Sequence, residues 1–305
     1  MALTTTAQAI DVFQARFSER ELKQIADGVL TLMAFTALPD ITTSSLSINN
    51  AGTGDPGLSQ STLGGGFTLS QDFPLYLEGT LGYSRFDPKF VATDGREERI
   101  IPTKWNSFAG TGGIGWDFPI TQNKELKLRP ILNFTLGHVA TDARLAQTYI
   151  NAKLDTDLAV IDGGRMNAYG LGGAIMLDYE HYRTDYEIDV EARYTKIQLR
   201  TFSGTTNGLA GESETNAASL WGRWRAPTSL TMLQRPLRYV LETSFTAYFG
   251  PQRGALGFNN LTSIGAGFEL DSSAYPVFVT RTRLLGRYVF GENVSGFSVG
   301  LAMSF

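Results

Sequence analysis

The chain has 305 residues, with 26 Lys and Arg against 30 Asp and Glu, a formal net charge of −4 and no cysteine. A mildly acidic chain gives no electrostatic reason to expect nucleic acid as a partner, and it can hold neither a disulfide nor a thiolate metal centre. Mean hydropathy is slightly polar at −0.10, and the longest apolar run, "VLTLMAFTAL" at 29–38, is about half of the ~20 residues a membrane-spanning helix needs.

The opening "MALTTTAQAID" lacks the basic start and apolar core of a secretory signal. The expectation is a mature sequence with an initiator Met, whose natural precursor carries a signal. Residues 7–36 recur at helical spacing, first Ile10, Phe13 and Phe17, then Leu22, Ile25, Val29 and Leu32. Ser18-Glu19-Arg20-Glu21 fits a capping box, so a second helical segment is predicted from Glu19. Pro39-Asp40 ends it. Residues 1–40 therefore read as a helical segment ahead of a second unit at 41–305.

From residue 42 the period becomes two. The predicted strands are 42–49, 60–69, 74–86, 106–118, 126–138, 168–179, 184–194, 217–226, 237–249, 261–270, 276–290 and 294–305. Along 184–194, Tyr186, Ile188, Val190, Ala192 and Tyr194 oppose Asp185, Glu187, Asp189, Glu191 and Arg193. Leu220 and Trp224 oppose Arg223 and Arg225, Leu241 and Phe245 oppose Arg238 and Glu242, and Leu284 and Tyr288 oppose Arg281, Arg283 and Arg287. The last strand sets Phe297, Val299, Leu301, Met303 and Phe305 against Gly296, Ser298, Gly300, Ala302 and Ser304. Strands of about 9–11 residues cross a bilayer when tilted, hiding their apolar side chains at every second position.

The connections alternate. "SQDFP", "PITQNKE", "EHYR" and "DSSAYP" are short, whereas 87–103, 139–166, 201–215 and 250–260 are longer and polar; "PTSLTMLQRP" at 227–236 is a somewhat long member of the short set. Short periplasmic turns and long extracellular loops are the habit of outer-membrane barrels. Trp105, Trp116, Trp224, Tyr239, Tyr288 and Phe290 near strand ends suit interfacial girdles. The fold class expected is all-β: a transmembrane antiparallel barrel of about twelve strands with an N-terminal helix, placed in the lumen or, alternatively, along the periplasmic surface. A soluble sandwich or lipocalin-like barrel competes, and would need a second layer to cover its apolar face.

Chemistry is sparse. His138 and His181 have no metal-ligand spacing, and His138 with Asp142 is only a fragment of an acid–base pair. The Gly-rich stretches 64–66, 110–115 and 170–173 lack a strand–loop–helix context and a P-loop Lys, and suit a bending wall that a helix approaches. No catalytic, cofactor-binding or metal-binding residue is assigned. The candidate site is a lumen charge network of Asp185, Glu187, Asp189, Glu191, Arg223, Arg225, Arg238, Arg281, Arg283 and Arg287. It reads either as the lining of a conducting pore or as ion pairs that close the lumen across strands or against Arg20 and Lys23 of the helix.

A helix ahead of about twelve strands resembles autotransporter translocator domains, and within them the solitary outer-membrane autotransporter β-barrel family. The stretch carrying the resemblance is "QIADGVLTLMAFTALPDITTSSLSI" (24–48) with the Gly-rich strand after it. The resemblance implies a Gram-negative outer-membrane protein without enzymatic activity, a monomer in lipid whose helix threads the lumen and leads to the first strand from the periplasmic side. Nothing ahead of the helix reads as a passenger, so the protein is either solitary or trimmed of one. The last strand, with Phe297, Val299, Leu301, Met303 and the terminal Phe305, resembles the signal read by the barrel assembly machinery. A small porin-like diffusion channel and an outer-membrane hydrolase are the competing readings.

Overall fold

The computed structural model describes residues 19–39, 45–49, 58–86, 89–93, 98–102, 105–141, 165–202, 210–272, 280–292 and 294–304. The helix α1 (Glu19–Ala37) precedes β1 (Ser45–Asn49), β2 (Leu58–Thr68), β3 (Leu75–Phe86), β4 (Lys89–Thr93), β5 (Glu98–Pro102), β6 (Trp105–Trp116), β7 (Phe118–Pro119) and β8 (Leu126–Thr141). Then come β9 (Arg165–Tyr182), β10 (Glu187–Thr201), β11 (Glu212–Met232), β12 (Arg235–Tyr248), β13 (Asn260–Asp271), β14 (Arg281–Gly291) and β15 (Val294–Ser304). Helical spacing begins and ends α1 where the sequence predicts; Ile10, Phe13, Phe17 and the capping Ser18 lie outside the described residues.

Among the described residues thirteen strands share one antiparallel sheet, and β6 pairs with both β3 and β8. The two-residue β7 pairs only with β8, so the remaining twelve strands form a closed ring, with β1 pairing β15 at the seam. Closure satisfies every edge of the sheet along the paired lengths, which is why a β-structure can stand in hydrocarbon.

The wall is inverted relative to a soluble core. On β12, Leu241 is 52% exposed while its neighbour Glu242 is 5% exposed. Leu63, Leu81, Ile114, Leu132, Ile264 and Leu284 are likewise exposed on their strands, whereas Thr135, Asp189, Arg225, Glu269 and Arg287 are buried. A monomeric soluble protein does not carry so extended an apolar surface. A soluble sandwich or lipocalin-like barrel would turn these leucines inward, so the outer face is the lipid-facing one.

Three differences from the sequence reading have physical causes. The 87–103 loop contains the β4–β5 hairpin, its register running from Lys89 opposite Pro102 to Thr93 opposite Glu98. The 227–236 turn is strand almost throughout: β11 continues past an irregularity between Pro227 and Thr231, and Leu233-Gln234 turn the chain with φ of 53° and 61°. Two consecutive left-handed residues match the twist of a two-residue hairpin, but Leu-Gln is not the Asn-Gly pattern that reveals one in sequence. Trp105 does not join an interfacial girdle; it packs on the interior cluster of Val139, Met166 and Leu199.

Candidate functional site

The interior is built in two levels. Along the inward side of β10 the residues run Glu187, Asp189, Glu191, Arg193, Thr195, Ile197, Leu199, from charged near the short-turn rim to apolar near the long-loop rim. Other strands of the ring repeat the gradient, with Arg129 to Val139 on β8 and Arg283 to Val289 on β14.

The apolar level holds α1. Val29, Leu30, Met33, Ala34 and Ala37 pack on Ala109, Val139, Met166, Ala168, Ile197 and Leu199. Phe35 and Leu38 pack the other way, on Tyr248, Phe258, Leu261, Val289 and Val294. From Gly28 to Ala37 the helix is apolar nearly all round, with Thr31 and Thr36 its polar side chains, and such a stretch must be surrounded. Its polar atoms are met from strands on opposite arcs of the ring. Thr111 Oγ1 donates to the Ala37 carbonyl at 2.6 Å and Thr36 Oγ1 meets Ser84 Oγ at 2.6 Å, while Thr215 Oγ1 donates to the Ala34 carbonyl at 3.1 Å. Gly82 lets the helix come close: a Cβ there would stand 2.6 Å from the Thr36 carbonyl oxygen and 2.7 Å from its Cγ2. The loop between β12 and β13 folds in, and Phe258 meets Phe35 and Tyr248 with ring centroids 5.9 and 5.7 Å apart.

These contacts fix the polarity of α1. Asp27 Oδ1 accepts from the backbone N–H of Glu212, at the long-loop end of β11, at 2.9 Å. Thr111, beside Ala37, lies midway along β6. The N-terminal end of α1 therefore points to the long-loop rim, and its C-terminal end lies deeper.

Below the helix lies the ionic level. Glu187 is met by Arg225 Nη2 at 2.8 Å, Arg238 Nη1 at 2.7 Å and Arg281 Nη1 at 2.8 Å. Asp189 takes Arg223 Nη2 at 2.8 Å, Arg225 Nη2 at 2.9 Å and the Tyr182 hydroxyl at 2.7 Å. Glu269, with no exposed side-chain surface, takes Arg225 Nη1 at 3.2 Å and Arg283 Nε at 3.3 Å. Arg287 Nε donates to Glu242 at 2.6 Å. Glu191 faces the same interior, among the charges of Asp178, Arg129, Arg223 and Arg193. Asp185 does not join: it sits exposed in the turn before β10, one alternation beyond the strand.

Several members lay outside the sequence-based set. Glu78 on β3 accepts two bonds from Arg193, and Arg129 pairs with Asp117 and, at 2.8 Å, with Asp178. Glu78 is an isolated charge at an inward position of an otherwise apolar and Gly-rich strand, "LYLEGTLGY", and that was the available signal; Arg129, Asp178 and Arg193 share their strands with other charges, and Asp117 lies between β6 and β7. The partners foreseen on the helix, Arg20 and Lys23, have side chains outside the described residues.

The histidines stand apart from the interior. His138 points outward and its Nδ1 lies 2.7 Å from Asn167 Oδ1; Asp142 lies outside the described residues. His181, at the short-turn rim, stacks near Tyr179 and Tyr186, with Nδ1 3.2 Å from Glu125. That bond, with a second from Arg183 Nη2 at 2.9 Å, holds the Glu125 carboxyl below the usual carboxylate range. Among the described residues no group of three His, Cys, Asp or Glu is placed to hold a metal. Of the proposed terminal signal, Phe297 and Val299 are exposed on the outer face, the side chains of Leu301 and Met303 are outside the description, and so is Phe305.

No protein-family model matches the chain, and no curated protein matches it by sequence. Among solved structures, the chain is similar to the β domain of the Bordetella autotransporter BrkA, at 17% identity over 86% of this chain and 96% of that one, TM-score 0.45. The transport unit of the autotransporter AIDA-I from Escherichia coli matches at 12% identity over 92% and 99%, TM-score 0.45. The translocator domain of autotransporter NalP from Neisseria meningitidis matches at 11% over 99% and 98%, TM-score 0.38.

Proposed function

We propose that the chain is an outer-membrane β-barrel of autotransporter-translocator type whose lumen is occluded, by α1 at the extracellular level and by the ionic network at the periplasmic level. The long-loop rim is the extracellular one and the short-turn rim the periplasmic one. The barrel works as a membrane-embedded translocation or structural unit in the bacterial outer membrane, as a monomer and without catalytic chemistry of its own. The observation that supports this best is α1 itself, sheathed by strands on opposite arcs, with its N-terminal end at the long-loop rim and its C-terminal end leading toward β1. The barrel assembly machinery reads the terminal strand through Phe297, Val299, Leu301, Met303 and Phe305.

Planar-bilayer recording tests the occlusion. The intact chain is expected to conduct rarely and weakly, and deletion of residues 1–38 to raise conductance, partially if the ionic level alone still narrows the lumen. A large, steady conductance in the intact chain would instead make the protein a small diffusion channel.

A further inference from the structure

Glu191 is a carboxylate of the ionic level that, among the described residues, makes no hydrogen bond and no ion pair. It points inward on β10, directly opposite Asp178 on β9 and Trp221 on β11. It is half-buried, so water in the lumen reaches it. The charged and titratable groups facing it are Asp178 on β9, Arg129 on β8, Arg223 on β11, Asp189 and Arg193 on its own strand, and Tyr76 and Glu78 on β3. Each of these arginines is already engaged. Arg129 is held between Asp117 and Asp178 and lies 3.9 Å over the Tyr76 ring. Arg223 gives Nε and Nη2 to Asp189, at 2.9 and 2.8 Å, and lies over the Trp221 ring. Arg193 differs, because its carboxylate, Glu78, belongs to a strand across the lumen. It stands two residues from Glu191 on the same face of β10, about 7 Å along the strand, within the swing of an arginine side chain. Glu78 keeps two neutral donors when Arg193 leaves, Asn133 Nδ2 at 2.7 Å and the Tyr76 hydroxyl at 3.3 Å.

We propose that Glu191 is a proton switch that competes with Glu78 for Arg193 and so controls the ionic level of the lumen. Protonated, it has no charge to offer, and Arg193 spans the lumen to Glu78, as in the structure. Ionised, it stands opposite the like charge of Asp178, an unfavourable cross-strand pair, and it relieves this by drawing Arg193 back to its own strand. The change is one proton passing to lumen water and one guanidinium exchanging carboxylates. The strut between β10 and β3 is lost, and the lumen opens beside it. One side chain with two discrete partners makes the element two-state rather than graded.

This inference rests on the occluded-lumen reading. Single-channel current of the full chain is recorded in planar bilayers from acidic to alkaline pH, with strand content checked by circular dichroism for every variant. Openings are expected to become several-fold more frequent as pH rises. Glu191→Asp should keep that response, and Glu191→Gln, the neutral isostere, should lose it and conduct at high pH as rarely as the parent does at low pH. Glu78→Gln removes the competing carboxylate and should open often across the range. A parent without a pH response, a Glu191→Gln barrel that responds like the parent, or a Glu78→Gln barrel as quiet as the parent at low pH overturns the switch. A large, steady conductance at every pH in the parent and in both Gln variants instead removes the occluded-lumen reading itself.

Discussion

Arg193 on β10 donates through Nη1 and Nη2 to the two carboxylate oxygens of Glu78 on β3, both at 2.7 Å, although β6, β8 and β9 stand between the two strands in the ring. The pair thus crosses the interior. Arg281 on β14 reaches Glu187 on β10 in the same manner, over β11, β12 and β13. Neighbouring strands are held by their ladders; distant strands are held by bidentate, charge-assisted bonds. The cross-section of the lumen is consequently set by side chains as well as by strand number.

Removing one member of a buried pair strands the other. Glu78→Ala leaves Arg193 without its carboxylate and also frees Asn133 Nδ2, which donates to Glu78 at 2.7 Å. The expected cost is about 3–5 kcal/mol, read as a lower unfolding midpoint of the detergent-refolded barrel. The double variant Glu78→Leu with Arg193→Met should recover much of it. A Glu78→Ala barrel as stable as the parent would mean that water already shares this pair.

Gly82→Leu tests the close approach of α1. The new side chain meets the Thr36 carbonyl, a backbone atom that only a displaced helix can move away. Overpacking of this kind costs about 1–3 kcal/mol. Because the helix is held by packing and scattered single hydrogen bonds rather than by a ladder, it is expected to yield before the wall does. More frequent channel openings and faster proteolysis within residues 19–38 are expected, with strand content unchanged by circular dichroism. An unchanged conductance trace would show that the helix does not gate the lumen.

Most of the barrel was legible because its signal is a strict period of two, repeated on every strand, and both the twelve-strand count and the outward faces follow from it. The sequence is silent where the rule is local and chemical. The turn at Leu233-Gln234 uses left-handed residues that carry no turn signature. Trp105 reads as a girdle residue by type and turns inward by parity. Asp185 continues the alternation of its strand but falls in the turn. The partners of the acidic row were only half visible. Like charges on one strand announce that partners exist, yet Glu78 and Arg193 are 115 positions apart, and only ring closure brings them together.

The outer face has its own test. Leu241→Arg places a cation on the lipid side of β12, at a cost of about 2–4 kcal/mol toward the bilayer midplane. Leu241→Phe keeps the site apolar and should refold into liposomes as the parent does. Equal folding yields for the Arg and Phe variants would contradict the assignment of this face to lipid.

At the short-turn rim, the depressed pKa of Glu125 links its bonds from His181 and Arg183 to pH. A carboxyl whose folded value lies below its unfolded one stabilises the fold above the unfolded value and loses that contribution as pH falls through the folded value. Wild type should therefore exceed Glu125→Gln in thermal midpoint at neutral pH, and the gap should close on acidification below the ordinary carboxylate range. A gap that persists at low pH would assign the effect to shape rather than charge. The group is at the surface, so the gap is expected to shrink with salt.

The ionic level of the lumen is tested by replacing Arg281, Arg283 and Arg287 together with Gln. Glu187 then loses one of three arginines, Glu269 loses its contact at 3.3 Å with Arg283, and Glu242 loses its bond from Arg287. Buried carboxylates short of partners repel one another and draw in water. The triple variant should conduct more than the parent, prefer cations and melt lower, while each single replacement does less than a third of this, because Glu187 and Glu269 share their remaining partners. Single-channel current at low and high salt is the measurement, since screening should narrow the difference between variant and parent. A triple variant that conducts and melts like the parent would reduce these arginines to solvated wall residues, leaving α1 as the sole barrier in the lumen.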